Sequence, residues 1–202
     1  MFYRTALILC DVQKKVMPRI FNGNTVIQNI GNLIDCYKFN QYSSKNSPII
    51  VGEFLPHKLG NNVFNLTSGP GTKVLDKNTY SMVSKQLIDD LEDYSINRVC
   101  LSGVQTEWCI YQTASELALN GFQVDVIKDA CGSANKHEHF DALDELKTIP
   151  RIRTPTLHRW IVSRLSGIED EYNIWYLNLL NNMKKESKRS DKIDKMEIKE
   201  DW

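Results

Sequence analysis

Short, uninterrupted apolar runs alternate along the chain with amphipathic stretches of helical period. Thr5–Cys10 (TALILC) and the segment Val99, Cys100, Leu101 through Val104 are too brief and too uniformly apolar for surface helices. They read as strands buried on both faces. Ile49-Ile50-Val51-Gly52, led in by Pro48, and Gln123 to Ile127 read the same way, and Arg151 to Thr154 reads as a short edge strand. Between the first two strands, Asn24 opens a helix whose stripe is Val26, Ile27, Ile30, Leu33, Ile34 and Tyr37. Met82, Val83, Leu87 and Leu91 mark the next helix. Ile110, Ala114, Leu117 and Ala118 mark another, with Thr106 as its expected N-cap and Gly121 as its end. Helices over Lys136 to Lys147, Thr156 to Leu165 and Glu169 to Met183 complete the pattern. Strand–helix–strand units of this kind require right-handed parallel crossovers, so the chain is α/β.

The connections carry information too. Asn40 to Ser47 is predicted as a polar loop. From Glu53 to Asn78 periodicity fades and Gly60, Gly69, Pro70 and Gly71 mark turns, with Val74-Leu75-Asp76 a short extended piece. A connection this long is expected to cover a site at the carboxyl edge of the sheet. Gly69-Pro70-Gly71-Thr72-Lys73 lacks the spacing and the preceding strand of a phosphate loop, and is read as a turn. Lys128 to Ser133 is predicted as a further carboxyl-side loop, with Asp129 a turn residue. From Lys184 onward charges of both signs alternate with little apolar content, so the expected organisation is one domain, 1–183, and a solvated tail, 184–202.

Composition narrows the class. With 202 residues and 42% hydrophobic content, one good core is affordable and a second full domain is not expected. Lysine plus arginine (25) balance aspartate plus glutamate (25), which leaves no net field to draw the chain to nucleic acid or a membrane surface. No apolar run is long enough to span a bilayer. Five scattered cysteines without CxxC spacing point to reduced thiols. The first strand begins close to Met1, so no cleavable targeting segment is expected; the location is read as cytoplasmic, with an organellar one left open.

Three polar residues fall at carboxyl-end positions, where open α/β sheets bind ligands. Asp11 follows the first strand and is either a turn-former or a site residue. Lys77 follows the short extended piece and is either surface or site. Cys109 sits just beyond the central strand, where a helix start would stabilise a thiolate; the plainer reading is a small apolar core residue. Together they make a coherent device: a carboxylate to take the thiol proton, an ammonium to hold charge, and a sulfur to attack a carbonyl. Amides near Gln105 and Cys109 are placed to receive an oxyanion. Gln13 could orient the carboxylate or satisfy loop backbone, and Phe54, Tyr80 and Trp108 are candidate pocket walls.

The motifs LCDVQKKV (Leu9 to Val16), LDKNTYSMV (Leu75 to Val83) and LSGVQTEWCI (Leu101 to Ile110) resemble those of the isochorismatase-like cysteine hydrolases. GEFLPHKLGNNV (Gly52 to Val63) and KDAC (Lys128 to Cys131) are similar to segments of the isochorismatase domain-containing proteins within that family. The resemblance covers about Thr5 to Met183. It implies a three-layer α/β/α fold with a mostly parallel, Rossmann-like six-stranded sheet, and a non-proline cis peptide at Val104-Gln105. It also implies a triad of Asp11, Lys77 and Cys109, a thioester route on a small carbonyl or amide substrate, and a homo-oligomer. Nicotinamidases of the family bind zinc through an Asp-x-His pair and a further His. Here that region reads Glu53-Phe54-Leu55, and His57 has no matching partner, so neither metal nor other cofactor is expected. His137 and His139 are expected at the surface. The rival reading is a catalytically idle oligomeric scaffold of the same fold.

Overall fold

The computed structural model describes residues 4–43 and 47–165. The chain divides into two units, 1–157 and 158–202. The first contains the whole sheet; the second is described through Leu165, the end of α6 (Leu157–Leu165). The helix expected over Glu169 to Met183 and the charged tail lie outside the described residues.

Six strands form one all-parallel sheet: β1 (Thr5–Cys10), β2 (Ile49–Phe54), β3 (Thr72–Lys77), β4 (Arg98–Val104), β5 (Gln123–Gly132) and β6 (Ile152–Arg153). Their spatial order is β3-β2-β1-β4-β5-β6. The chain winds outward from β1 in one direction, then restarts at β4 in the other. The crevice beyond the carboxyl ends of β1 and β4 is thus the switch point of a doubly wound sheet, the usual place for a ligand.

Burial explains why these strands form. Every residue of β1 is buried, with Cys10 paired to Gly103 of β4 and Gly52 of β2. Ala6, Ile8 and Cys10 join a core with Leu87 and Leu91 of α3 (Lys85–Asp93) and Ala114 and Leu117 of α4 (Tyr111–Leu119). Side chains alternate along a strand, so Leu7 and Leu9 face the other side. There α1 (Gly23–Ser43) packs on β1, β4 and β5, and its Tyr37 hydroxyl donates to Thr5 Oγ1 at 3.2 Å. Helices on both faces of a parallel sheet give the three layers that the sequence pattern implies.

Several connections differ from expectation. The excursion after Glu53 is not one loop: β2 runs on to Phe54, a short helix α2 spans Pro56–Leu59, and β3 is a full six-residue strand. β3 pairs with β2 alone and is only half-buried, so it lacks the continuous apolar run of a central strand. β5 extends through Gly132, where a loop from Lys128 was expected. A register irregularity opposite Leu101–Gly103 accommodates its polar Lys128-Asp129 step. α1 likewise continues to Ser43, into the stretch read as loop. α3 begins later than Met82, because Ser84 caps it by accepting from the Leu87 amide.

Candidate active site

Asp11 is the first residue past β1. Its backbone is left-handed (φ 55°) and its amide donates to Gly52 O at 3.0 Å, which swings the side chain out of the strand path. Lys77 ends β3 in register with Phe54, and its main-chain carbonyl accepts from the Leu55 amide. The Lys77 ammonium reaches back over the sheet edge. It stands 2.7 Å from Asp11 Oδ2 and 3.4 Å from Cys109 Sγ, and it donates to the carbonyls of Thr79 (3.1 Å) and Tyr80 (2.9 Å). The side chain of Lys77 is 7% exposed and that of Asp11 5%. This is therefore no solvated loop lysine, and the three residues picked from separate segments meet.

Gly103 makes the meeting possible. It has φ 127°, and a Cβ there would lie 2.1 Å from Cys10 O, so only glycine lets β4 pass this close to β1. After the cis peptide Val104-Gln105 the chain enters a five-residue π-helical turn, Thr106–Ile110, in which Gln105 O accepts from the amides of Trp108 (3.2 Å) and Ile110 (3.1 Å). Such turns within helices are common at functional positions. Cys109 lies in this wide turn, ahead of α4, rather than in the first turn of an α-helix.

The electrostatics reverse one expectation. Burial, and then the Asp11 charge, push the Cys109 thiol up to about 12, and the opposing pull of Lys77 does not cancel them. Cys109 rests as a thiol, not as the helix-stabilised thiolate inferred from its place after the strand. Burial also raises the Asp11 carboxyl against the pull of Lys77. Burial works to lower the Lys77 ammonium, but its charged partners, Asp11 first, outweigh it, and its value rises.

Four further side chains take the places the structure gives them. Phe54 and Tyr80 stack at 6.0 Å, Tyr80 tilts against Trp108 at 5.3 Å, and Lys77 Nζ lies 4.9 Å over the Phe54 ring. Tyr80 and Trp108 are 46% and 47% exposed, and with Phe54 they form an aromatic wall on the Lys77 ammonium. Gln13 does not belong to that wall. It is fully buried; its Oε1 accepts from the Phe54 amide (2.9 Å), and its Nε2 donates to Phe54 O (3.1 Å) and Gly60 O (2.6 Å). With its amide committed to backbone, Gln13 holds the loop, the second of the two roles its sequence position allows, and is free neither to orient the Asp11 carboxylate nor to contact a substrate.

The Glu53–Leu55 region does not fit a metal. Glu53 Oε1 accepts from the amide (2.6 Å) and the side chain (2.8 Å) of Asn62, Phe54 and Leu55 have no ligating side chains, and His57 is exposed. Among the described residues no group of three or more His, Cys, Asp or Glu side chains is arranged to hold an ion.

Sequence reasoning missed the residues behind the turn. Thr106 is not a capping residue: its Oγ1 is hydrogen-bonded to His139 Nδ1 at 2.8 Å. Ser133 Oγ accepts from the Thr106 amide (3.2 Å) and donates to Glu107. His139, expected at the surface, is buried, while His137 is exposed as expected. These are ordinary polar residues on separate elements, and no spacing in the sequence links them.

The sequence profile of the isochorismatase domain matches residues 5–157, the span that contains the sheet and the site just described. The chain belongs to the isochorismatase family. Isochorismatase domain-containing protein 2 of Danio rerio is 30% identical over 144 residues, 71% of this chain and 70% of the relative. Among solved structures, the family fold recurs in the MAR1 ribonuclease of Caenorhabditis elegans (TM-score 0.75, 27% identity, 87% of this chain and 88% of that one). It also recurs in the nicotinamidase SaPncA of Staphylococcus aureus (TM-score 0.67, 21% identity, 76% and 99%). The family assignment makes this an isochorismatase-family hydrolase fold. No helix among the described residues is long and apolar enough to cross a membrane.

Proposed function

We propose that this chain is a cysteine hydrolase that cleaves a small amide or related acyl compound at its carbonyl carbon, using its own side chains alone. The observation that carries the reading is the single ammonium of Lys77 held within 2.7 Å of Asp11 Oδ2 and 3.4 Å of Cys109 Sγ. A thiol that rests protonated needs a base at the moment of attack. Asp11 takes the proton as the sulfur bonds to the carbonyl carbon, and Lys77 stabilises the negative charge wherever it sits along that path. The amides at Gln105 and Cys109 are the proposed donors to the carbonyl oxygen as it becomes an oxyanion. Collapse expels the leaving group with the proton held by Asp11 and leaves a thioester. Water, deprotonated by Asp11, then attacks the thioester, and release of the acid restores the thiol.

The aromatic wall of Phe54, Tyr80 and Trp108 favours a compact, flat substrate beside the sulfur. The ribonuclease named for the nematode relative is not favoured here, because the chain's charges cancel at 25 against 25 and a thiol attacks carbonyl carbon more readily than phosphorus. The scaffold reading has no use for a buried ion pair against a thiol.

4-Nitrophenyl acetate, an activated acyl donor, tests the proposal. The expected result is a stoichiometric burst of nitrophenolate with an acetyl group on Cys109, absent in Cys109→Ala and slowed about a hundredfold or more in Asp11→Asn. A burst that survives Cys109→Ala, or no acetylation of Cys109, overturns it in favour of the scaffold or another chemistry.

A further inference from the structure

Resting on that reading, we propose that His139 and Thr106 act as a positioning pair for the nucleophile: the bond between His139 Nδ1 and Thr106 Oγ1 fixes the turn that holds the Cys109 sulfur against Asp11 and Lys77. The geometry is specific. α5 (Lys136–Leu146) packs on the Thr106–Ile110 turn, and His139, on its first turns, reaches Thr106 at 2.8 Å with both residues buried. Thr106 opens the turn and Cys109 lies within it, so any rotation of the turn about Thr106 moves the sulfur. On the backbone side the Thr106 amide is tied to Ser133, which in turn binds Glu107. The side-chain bond to His139 is the second anchor, and the two together define the turn's orientation about its entry.

Packing alone does not hold the imidazole. His139 lines a cavity of about 190 Å³ with Phe21, Val26, Phe140 and Leu143, and the Phe140 ring meets it edge-on at 5.0 Å. The side of the ring that faces this cavity makes few packing contacts, so the hydrogen bond carries much of its orientation. Burial lowers the His139 pKa and so favours the neutral ring. A neutral imidazole offers Nδ1 either as acceptor or as donor to the threonine hydroxyl, and either satisfies the pair. A sulfur that drifts by an ångström from its base loses much of its rate, which is why a bond remote from the substrate matters.

Because no natural substrate is needed, the test reads the apparent pKa of Cys109 from the pH dependence of iodoacetamide alkylation, located by mass spectrometry. That pKa is set by the burial of the sulfur and its distance from Asp11 and Lys77. Thr106→Val and His139→Leu should each bring it down by about one pH unit or more as the turn loosens. The double variant should be no worse than either alone. His139→Asn, which keeps a donor and an acceptor near the Nδ1 position, should restore the wild-type profile, a rescue that a merely structural role would not give. An unchanged profile in folded Thr106→Val overturns the inference, as does failure of His139→Asn to rescue. If His139→Leu does not fold, Thr106→Val, which alters shape little, decides alone. The two claims separate cleanly: absent acetylation of Cys109 by 4-nitrophenyl acetate defeats the hydrolase reading, whereas the alkylation series decides the pair whichever way that result falls.

Discussion

The Lys77 ammonium stands 3.4 Å from the Cys109 sulfur, yet the thiol is pushed up to about 12. Burial and the Asp11 carboxylate together outweigh the lysine, so proton and sulfur part only when a base acts.

The two charged residues should therefore move the thiol in opposite directions while both slow turnover. Asp11→Asn removes a charge that raises Cys109, so its alkylation profile should shift to lower pH. Lys77→Ala removes the charge that lowers it, and the profile should shift higher. Acylation by 4-nitrophenyl acetate should fall by about two orders of magnitude in each, since base and electrostatic support act as one unit. A downward shift with faster acylation in Asp11→Asn would remove it from the role of base.

Stability follows the same pair. Lys77→Met leaves a carboxylate that is 5% exposed without its counter-charge, and thermal or urea unfolding at neutral pH should register a loss of about 3 kcal/mol. The sign with pH is fixed by the raised Asp11 value. A carboxyl whose folded value exceeds its unfolded one stabilises the fold at pH below the unfolded value, and that contribution is lost as pH rises through the folded value. Lys77→Met should hence regain stability on acidification. The double variant Asp11→Asn/Lys77→Met should recover most of the loss at neutral pH, because a buried neutral amide costs far less to desolvate than an unpaired carboxylate.

Gln13 spends its carboxamide on Phe54 and Gly60. Gln13→Glu turns a donor toward two carbonyls into a carboxylate, and the melting temperature should drop at neutral pH and recover partly on acidification, when a proton restores one donor. Gln13→Ala should cost about 1–3 kcal/mol without any such pH response. Equal pH responses in the two variants would show that the bonds to Phe54 and Gly60 do not control this loop.

Trp108 tests the aromatic wall separately from the chemistry. With 47% of the residue exposed, Trp108→Ala should leave the fold intact and the Cys109 alkylation profile unchanged. Binding of small aromatic amides, followed by calorimetry, should weaken by about tenfold, the scale of one lost ring contact. Unaltered affinity would exclude the wall from recognition.

The sequence by itself determined the layered α/β architecture and brought Asp11, Lys77 and Cys109 forward as candidates. β1 and β4 are buried on both faces, so they are written as mostly apolar runs, and reactive side chains just beyond such a run stand out. That made Asp11 and Cys109 legible, and the motif containing Lys77 supplied the third. Only the tertiary structure decided the rest. β3 is a half-buried edge strand whose sequence carries no apolar run, so Lys77 looked like a loop residue until its pairing with β2 turned the ammonium inward. Gln13 and His139 are polar residues whose roles depend on which backbone or hydroxyl lies opposite, and their partners Gly60 and Thr106 come from other elements. The protonation of Cys109 was likewise beyond the sequence, because it is a balance of burial and two charges that face each other only after folding.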